Sequence, residues 1–161
     1  MTLAQFDAWD ESQIALQLLE CCGSRNWVAR MLEERPFRTL SSLEAAATES
    51  WWHLEPVDWL EAFSKHPKIG EKGKVSEWSS EEQSGITSAA IDTANKLAAL
   101  NQIYFDKFGW IFIVCATGKS AKEMLSLLEA RLPNRPEDEL RIAAAEQNKI
   151  TLLRLRKLLS T

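Results

Sequence analysis

The stretch "SSEEQSGITSAAIDTANKLAALNQIYFDKF" (residues 79–108) carries the longest helical pattern in this chain. It opens with Ser79 and Glu82 at the S-x-x-E spacing of a capping box, in which both side chains bond the free amides of a helix start. Apolar residues then recur at three- and four-residue spacing until Gly109, a residue type common at helix ends. The stretch therefore predicts one long helix from Ser79 to about Phe108.

Outward from this stretch, most of the chain shows the same helical spacing in shorter segments. The cap and break residues predict helices after Asp10 to Cys22, after Ser24 to about Glu34, from Ser41 or Ser42 to near Leu54, from Pro56 to about Lys65, from about Ala121 to Leu132, and from Pro136 onward. Clusters of β-branched residues are scarce outside 111–114. The sequence predicts an all-α fold, a single compact multi-helix domain over residues 1–161.

The charge balance narrows the classes of partner. The chain has 19 basic and 23 acidic residues, a net charge of −4, whereas nucleic-acid binders present strongly basic faces. The start "MTLAQFDAWDESQ" lacks the basic and apolar regions of a secretory signal, and apolar runs such as "WIFIVCA" (110–116) are too short to span a bilayer. We predict no nucleic-acid partner, no membrane partner and a cytoplasmic location.

The cysteines and histidines do not suggest a metal site. The three cysteines are Cys21 and Cys22, which are adjacent, and the distant Cys115, so neither a disulfide framework nor a CxxC pair is present. His53 has no second histidine at the spacing of metal ligands. We predict buried, reduced thiols and no bound metal.

Three polar residues are candidates for chemistry, and each also has a structural explanation. His66 precedes Pro67 and so leaves the preceding helix, where its ring is placed for acid–base work or bonds a loop carbonyl. Glu82 fits a capping residue and also part of a site at a helix start, which attracts anions, and the two roles can coexist. Arg154 lies on a partly apolar stripe of the last helix, as a surface ion pair or a fork for a carboxylate.

Several separated motifs together resemble one known family. "HPKIGEK" (66–72), "WSSEEQSG" (78–85), "NQIYFDKFGWIFIVCATGKS" (101–120) and "NKITLLRLRKLL" (148–159), together with the earlier "CCGSRNW" and "RPF", look like the 2-oxo-4-hydroxy-4-carboxy-5-ureidoimidazoline (OHCU) decarboxylases of urate degradation. The resemblance implies an all-helical, usually homodimeric enzyme without metal or organic cofactor. Its small-molecule substrate, OHCU, would be converted to (S)-allantoin with loss of carbon dioxide.

The resemblance also implies roles for particular residues. His66 would be the catalytic histidine and Glu82 the second catalytic group. The substrate-binding residues would be Pro67, Ser79, Gln83, Arg154 and the strip Phe112, Ile113, Val114, Cys115 and Ala116. In this interpretation Arg154 holds an anionic group of the substrate, and the backbone of the strip meets its ureidoimidazoline part.

Two other functions remain open at this point. The chain could be a helical binding or adaptor module, in which tryptophans anchor a partner and His66 has no catalytic role. It could also be a decarboxylase or hydrolase of a related ureido compound. The first alternative predicts binding without turnover, and the second predicts turnover of a different purine catabolite.

Overall fold

The computed structural model describes residues 1–67 and 88–160. Over these two ranges the backbone forms eight α-helices and no β-strand, which confirms the all-α prediction. None of the helices in the described part of the chain has the length and apolar character needed to cross a membrane. The helices are α1 (Leu3–Ala8), α2 (Glu11–Cys21), α3 (Arg25–Glu34), α4 (Leu40–Trp52), α5 (Pro56–Phe63), α6 (Ser88–Phe108), α7 (Ala121–Arg131) and α8 (Pro136–Leu158).

Most predicted helix starts are confirmed, and their caps explain why. Ser24 caps α3, because its hydroxyl accepts a hydrogen bond from the amide of Trp27 at 3.2 Å. Pro56 is the first residue of α5, where its missing N–H costs nothing. The predicted start of the long helix at Ser79 lies outside the described residues, which show this helix as α6 from Ser88.

Two starts differ from the prediction. The helix expected from Ser41 or Ser42 begins at Leu40, since Thr39 is the cap and accepts from the amide of Ser42 at 3.1 Å. The short helix α1 was not predicted. Its cap is Thr2, which forms a reciprocal capping box with Gln5.

The chain divides into two compact units, one of Met1–Lys65 with Ala144–Thr161 and the other of His66–Ala143. The single domain over 1–161 remains a prediction. In the first unit α3 packs against α2, α4 and α5, around buried tryptophans whose indole N–H groups all donate to backbone carbonyls. These bonds run from Trp27 to Ala47 at 3.0 Å, from Trp51 to Ala144 at 2.9 Å, and from Trp59 to Trp51 at 3.0 Å.

The second unit has its own hydrophobic core, in which α6 packs against α7. Its buried members are Leu97, Tyr104, Phe108, Phe112, Val114, Met124, Leu125 and Leu128. Between the two helices the chain turns at Gly109 and again at Gly118, with φ of 85° and 77°. Both values lie in the left-handed region that residues with a Cβ rarely adopt, so glycine is strongly favoured at these turns.

Candidate active site

His66 lies just beyond the end of α5. The helix ends at Phe63 with Ser64 as its C-cap, and His66 is half-buried while Pro67 is exposed. This agrees with the prediction that Pro67 keeps His66 out of the helix, because the residue before proline avoids helical geometry. The imidazole is therefore carried by a connecting segment.

The segment leading to His66 is held by an unusually close contact. Lys65 packs against the α-carbon of Gly23, which follows α2. A Cβ added at Gly23 would overlap Cγ of Lys65 and lie 3.0 Å from its Cβ. Only glycine fits this approach, so Gly23 determines where the backbone preceding His66 can run.

The strip of residues 112–116 is mostly buried and is held through its carbonyls. Phe112, Ile113, Val114 and Cys115 are buried, and Ala116 is exposed. The carbonyl of Ile113 accepts a hydrogen bond from Nη1 of Arg131 at 2.7 Å, and that of Cys115 accepts one from Nζ of Lys119 at 2.8 Å. Both donors are cationic, which makes these bonds stronger than neutral ones.

Arg131 is itself fixed by a buried carboxylate. Oε2 of Glu139 accepts from Nε of Arg131 at 2.8 Å, from its Nη2 at 2.6 Å and from the hydroxyl of Tyr104 at 2.5 Å. Glu139 is fully buried. Burial and, next, the hydrogen bond to Glu139 raise the pKa of Tyr104 far above its ordinary value, so this phenol stays protonated as a donor.

Arg131 and Glu139 do not stand out in the sequence. Glu139 belongs to the run Glu137, Asp138, Glu139 in the first turn of α8, a place where any carboxylate favours the helix macrodipole. The side chain of Glu137 is 76% exposed, whereas that of Glu139 is 0% exposed, and nothing in the run distinguishes them. The burial of Glu139 becomes visible only in the folded core.

Arg154 extends from the last third of α8 and is exposed. Its Nη1 donates to the carbonyl of Glu20, in the last turn of α2, at 3.3 Å. Cations near a helix C-terminus interact favourably with its macrodipole. This bond is neither the carboxylate fork nor the surface ion pair considered from the sequence, so its proposed role in binding remains a prediction.

The cysteines are buried and reduced, as predicted. Burial raises the pKa of Cys22 to about 12 and that of Cys21 to about 11, and the charge of Arg154 opposes the shift at Cys21. Neither thiol is therefore a nucleophile at neutral pH. Within residues 1–67 and 88–160, no three histidine, cysteine or carboxylate side chains form a group that could hold a metal ion.

The structure places the predicted site residues as follows. His66, Pro67 and the strip 112–116 belong to the second unit, and Arg154 belongs to the first. Ser79, Glu82 and Gln83 lie outside the described residues. The substrate and catalytic roles of all these residues remain predictions.

The chain matches known proteins along nearly its whole length. The family model described as OHCU decarboxylase matches residues 7–156. The chain therefore belongs to the OHCU decarboxylase family.

Individual relatives agree with this membership. The chain is 42% identical over 150 residues to the uric acid degradation bifunctional protein TTL of Arabidopsis thaliana, covering 87% of this chain and 45% of that protein. It is 31% identical over 135 residues to the 2-oxo-4-hydroxy-4-carboxy-5-ureidoimidazoline decarboxylase of Halalkalicoccus jeotgali, covering 82% and 77%. The chain thus spans less than half the length of the bifunctional relatives that it matches.

A solved structure shows the same fold. The crystal structure of OHCU decarboxylase in the presence of (S)-allantoin superposes with a TM-score of 0.77 at 39% sequence identity. The similarity covers 95% of this chain and 100% of that one.

Proposed function

We propose that this protein catalyses the cofactor-independent, stereospecific decarboxylation of OHCU to (S)-allantoin in urate degradation. The observation that carries the proposal is the likeness to an OHCU decarboxylase structure over 95% of this chain and all of that one, at 39% identity. Membership in the OHCU decarboxylase family, over residues 7–156, supports the same reaction.

The substrate's own chemistry explains how the reaction proceeds without a cofactor. A carboxylate and a hydroxyl share one ring carbon next to an imine. When carbon dioxide leaves, the electron pair of the broken bond delocalises onto the imine nitrogen, so no external electron sink of the pyridoxal kind is needed. The protein has to orient the ring, place charges and deliver a proton to one face.

In this proposal His66 and Glu82 manage the proton. Glu82, ionised near a helix start, orients His66 by pairing with its ring, and this pair takes or returns the proton of the substrate hydroxyl. The half-buried setting of His66 supports such a role, since partial exposure lets a substrate reach the ring. Ser79, Gln83 and Pro67 complete the proposed contacts on this side of the substrate.

Arg154 and the strip 112–116 would bind the substrate. A guanidinium has five N–H donors, so the single 3.3 Å bond from Arg154 to Glu20 engages only one of them. A carboxylate would accept two others as a fork. The buried apolar side chains of the strip would exclude water, and its backbone would bond the urea-like edges of the substrate.

The stereochemistry of the product tests the proposed reaction. OHCU also decays without an enzyme, and this background gives racemic allantoin. We expect wild-type protein and freshly generated OHCU to give optically active allantoin, followed by circular dichroism. A racemic product at the background rate would contradict the proposal.

The same assay separates the other functions. Binding of (S)-allantoin without faster formation would favour a binding module. Turnover of another compound in a panel of purine catabolites would favour a related enzyme. A homodimer that acts in the cytoplasm is also part of this proposal, and light scattering and cell fractionation test these two points.

A further inference from the structure

The backbone of residues 111–116 contains no helix, turn or bend, and two of its carbonyls have cationic partners. In an extended chain successive peptide groups point alternately to opposite sides. The carbonyls of Ile113 and Cys115 are two residues apart, the spacing at which an extended chain places carbonyls on one edge. Both accept hydrogen bonds from cationic side chains, those of Arg131 and Lys119.

The bond from Arg131 to Ile113 is more than a by-product of its ion pair. Nε and Nη2 of Arg131 already bond Glu139, and Nη1 makes the separate 2.7 Å bond to the Ile113 carbonyl. The guanidinium also lies over the ring of Phe112, with its central carbon 4.5 Å from the ring centroid. Arg131 therefore contacts the strip at two consecutive residues.

Burial makes this arrangement rigid. The side chains of Arg131 and Glu139 are 9% and 0% exposed, and Tyr104 donates a third hydrogen bond to the same carboxylate oxygen. A buried ion pair contributes little net stability compared with apolar residues of similar size. The buried ion pair instead fixes one geometry, because each charge is stable in the core only when it is paired.

We propose that Arg131, oriented by Glu139, is a positioning residue that fixes the Ile113 carbonyl, so that Phe112, Val114 and Ala116 direct their backbone groups to the opposite edge, toward the urea-like edge of the substrate. Lys119 has the same function at Cys115. This inference rests on the proposed function. It concerns residues that touch the strip and not the reacting atoms.

The first test is Arg131→Lys. A single ammonium cannot bond Glu139 twice and still reach Ile113 with the same geometry, so the strip shifts while the charge stays. Misplacement of a bound group by about 1 Å can cost about 100-fold in rate, and we expect kcat/KM to fall about 10- to 100-fold, with KM raised. The matched control is Arg135→Lys, an exposed arginine paired with Asp138, and it should keep wild-type kinetics.

A spectroscopic measurement separates positioning from stability. The ¹³C shift of the Ile113 carbonyl should change in Arg131→Lys and stay constant in Arg135→Lys, both measured well below the unfolding temperature. The double variant Arg131→Met with Glu139→Leu removes both buried charges. Its thermal stability should be close to that of wild type, since no charge is left unpaired. Its kcat/KM should stay low, because the bond to Ile113 is still missing.

Lys119→Met extends the test to a side chain that is half-buried and bonds the Cys115 carbonyl. We expect KM to rise at least threefold with little change in unfolding temperature. The inference is overturned if wild type is active while Arg131→Lys, the double variant and Lys119→Met all keep its kcat/KM. Wild-type protein without stereospecific turnover would overturn the proposed function and this inference together.

Discussion

The aliphatic stem of Lys65 lies directly against the α-carbon of Gly23 in the first unit. Gly23→Ala would place a methyl group into Cγ of Lys65 and 3.0 Å from its Cβ, so Lys65 would have to change its χ1 angle, and its Cβ would still be close because the backbone fixes it. Overpacking of this kind costs typically about 1–3 kcal/mol of the free energy of unfolding. Urea denaturation measures the loss. The value of kcat should fall as well, because a shift of Lys65 also moves His66, the next residue in the chain.

The double variant Gly23→Ala with Lys65→Ala is the control for this contact. Truncation of Lys65 removes the overlapping Cγ, so most of the lost stability should return. Simple addition of the two single effects would contradict the contact, because residues that clash must be coupled.

His66→Ala tests the proposed acid–base group. General acid–base groups contribute about 10²–10⁴-fold, so turnover should fall by at least 100-fold while helicity stays intact. The other histidine of the chain, His53, is exposed at the C-cap of α4 with Nδ1 2.8 Å from the Glu49 carbonyl. His53→Ala should therefore retain full turnover, and an active His66→Ala would remove His66 from the mechanism.

Arg154→Leu tests the proposed anion-holding residue. We expect KM to rise about tenfold or more, with only a small change in stability, because Arg154 is exposed and makes a single 3.3 Å bond. Arg156→Leu is the matched control. Arg156 pairs with Glu44 on the surface, so its loss should cost at most about 1 kcal/mol and leave KM unchanged. An unchanged KM with a lowered Tm in Arg154→Leu would favour a purely structural role.

Glu139→Leu should be far more damaging than Glu137→Leu, although both residues lie in the first turn of α8. Loss of Glu139 leaves Arg131 buried without its counter-charge, which typically costs about 3–5 kcal/mol. Glu137 is 76% exposed and 4.0 Å from Arg135, so its replacement should cost less than about 1 kcal/mol. Equal losses in guanidinium denaturation would show that the pair is not buried.

Alkaline pH should destabilise the protein through Cys22. Burial raises its pKa from 9.0 to about 12, so the unfolded chain loses the thiol proton first as pH rises. The stabilising contribution is complete below pH 9 and is lost as pH rises toward 12. At pH 11 the loss is about 2–3 kcal/mol from this shift.

Cys22→Ala should lower stability at pH 7 by its packing loss and then show a shallower decline to pH 11. Comparison of one variant at both pH values separates packing from ionisation. A decline as steep as that of wild type would exclude Cys22 as its cause.

Local sequence signals were sufficient to predict where a helix starts when the sequence offers a single strong cap. Ser24 and Pro56 define the starts of α3 and α5 without help from the rest of the fold. At α4 the cap predicted from the sequence was Ser41 or Ser42, whereas the structure has Thr39. Tertiary contacts favour Thr39 as the cap. The carboxylate of Asp7 accepts hydrogen bonds from the amides of Phe37 and Arg38, both at 3.0 Å, and so fixes the chain before α4.

The arrangement around the strip was beyond the reach of sequence patterns. His66 and Arg154 stand out by their neighbours in the chain, whereas the importance of Arg131 comes from Ile113 and Glu139, which are 18 and 8 residues away. Burial of one carboxylate among three adjacent ones is a property of the folded core. Periodicity shows which face of a helix is apolar, but it does not reveal which charge is enclosed there.

Gly109 and Gly118 have a consequence for protein engineering. Their left-handed turns delimit the eight residues between them, and apart from the adjacent residues no atom lies within 4 Å of where a Cβ would stand at either glycine. The backbone conformation at the two glycines therefore determines where this segment begins and ends. Libraries can vary the exposed Ala116 while both glycines, Arg131 and Lys119 stay fixed, because Phe112 and Val114 belong to the core of the second unit.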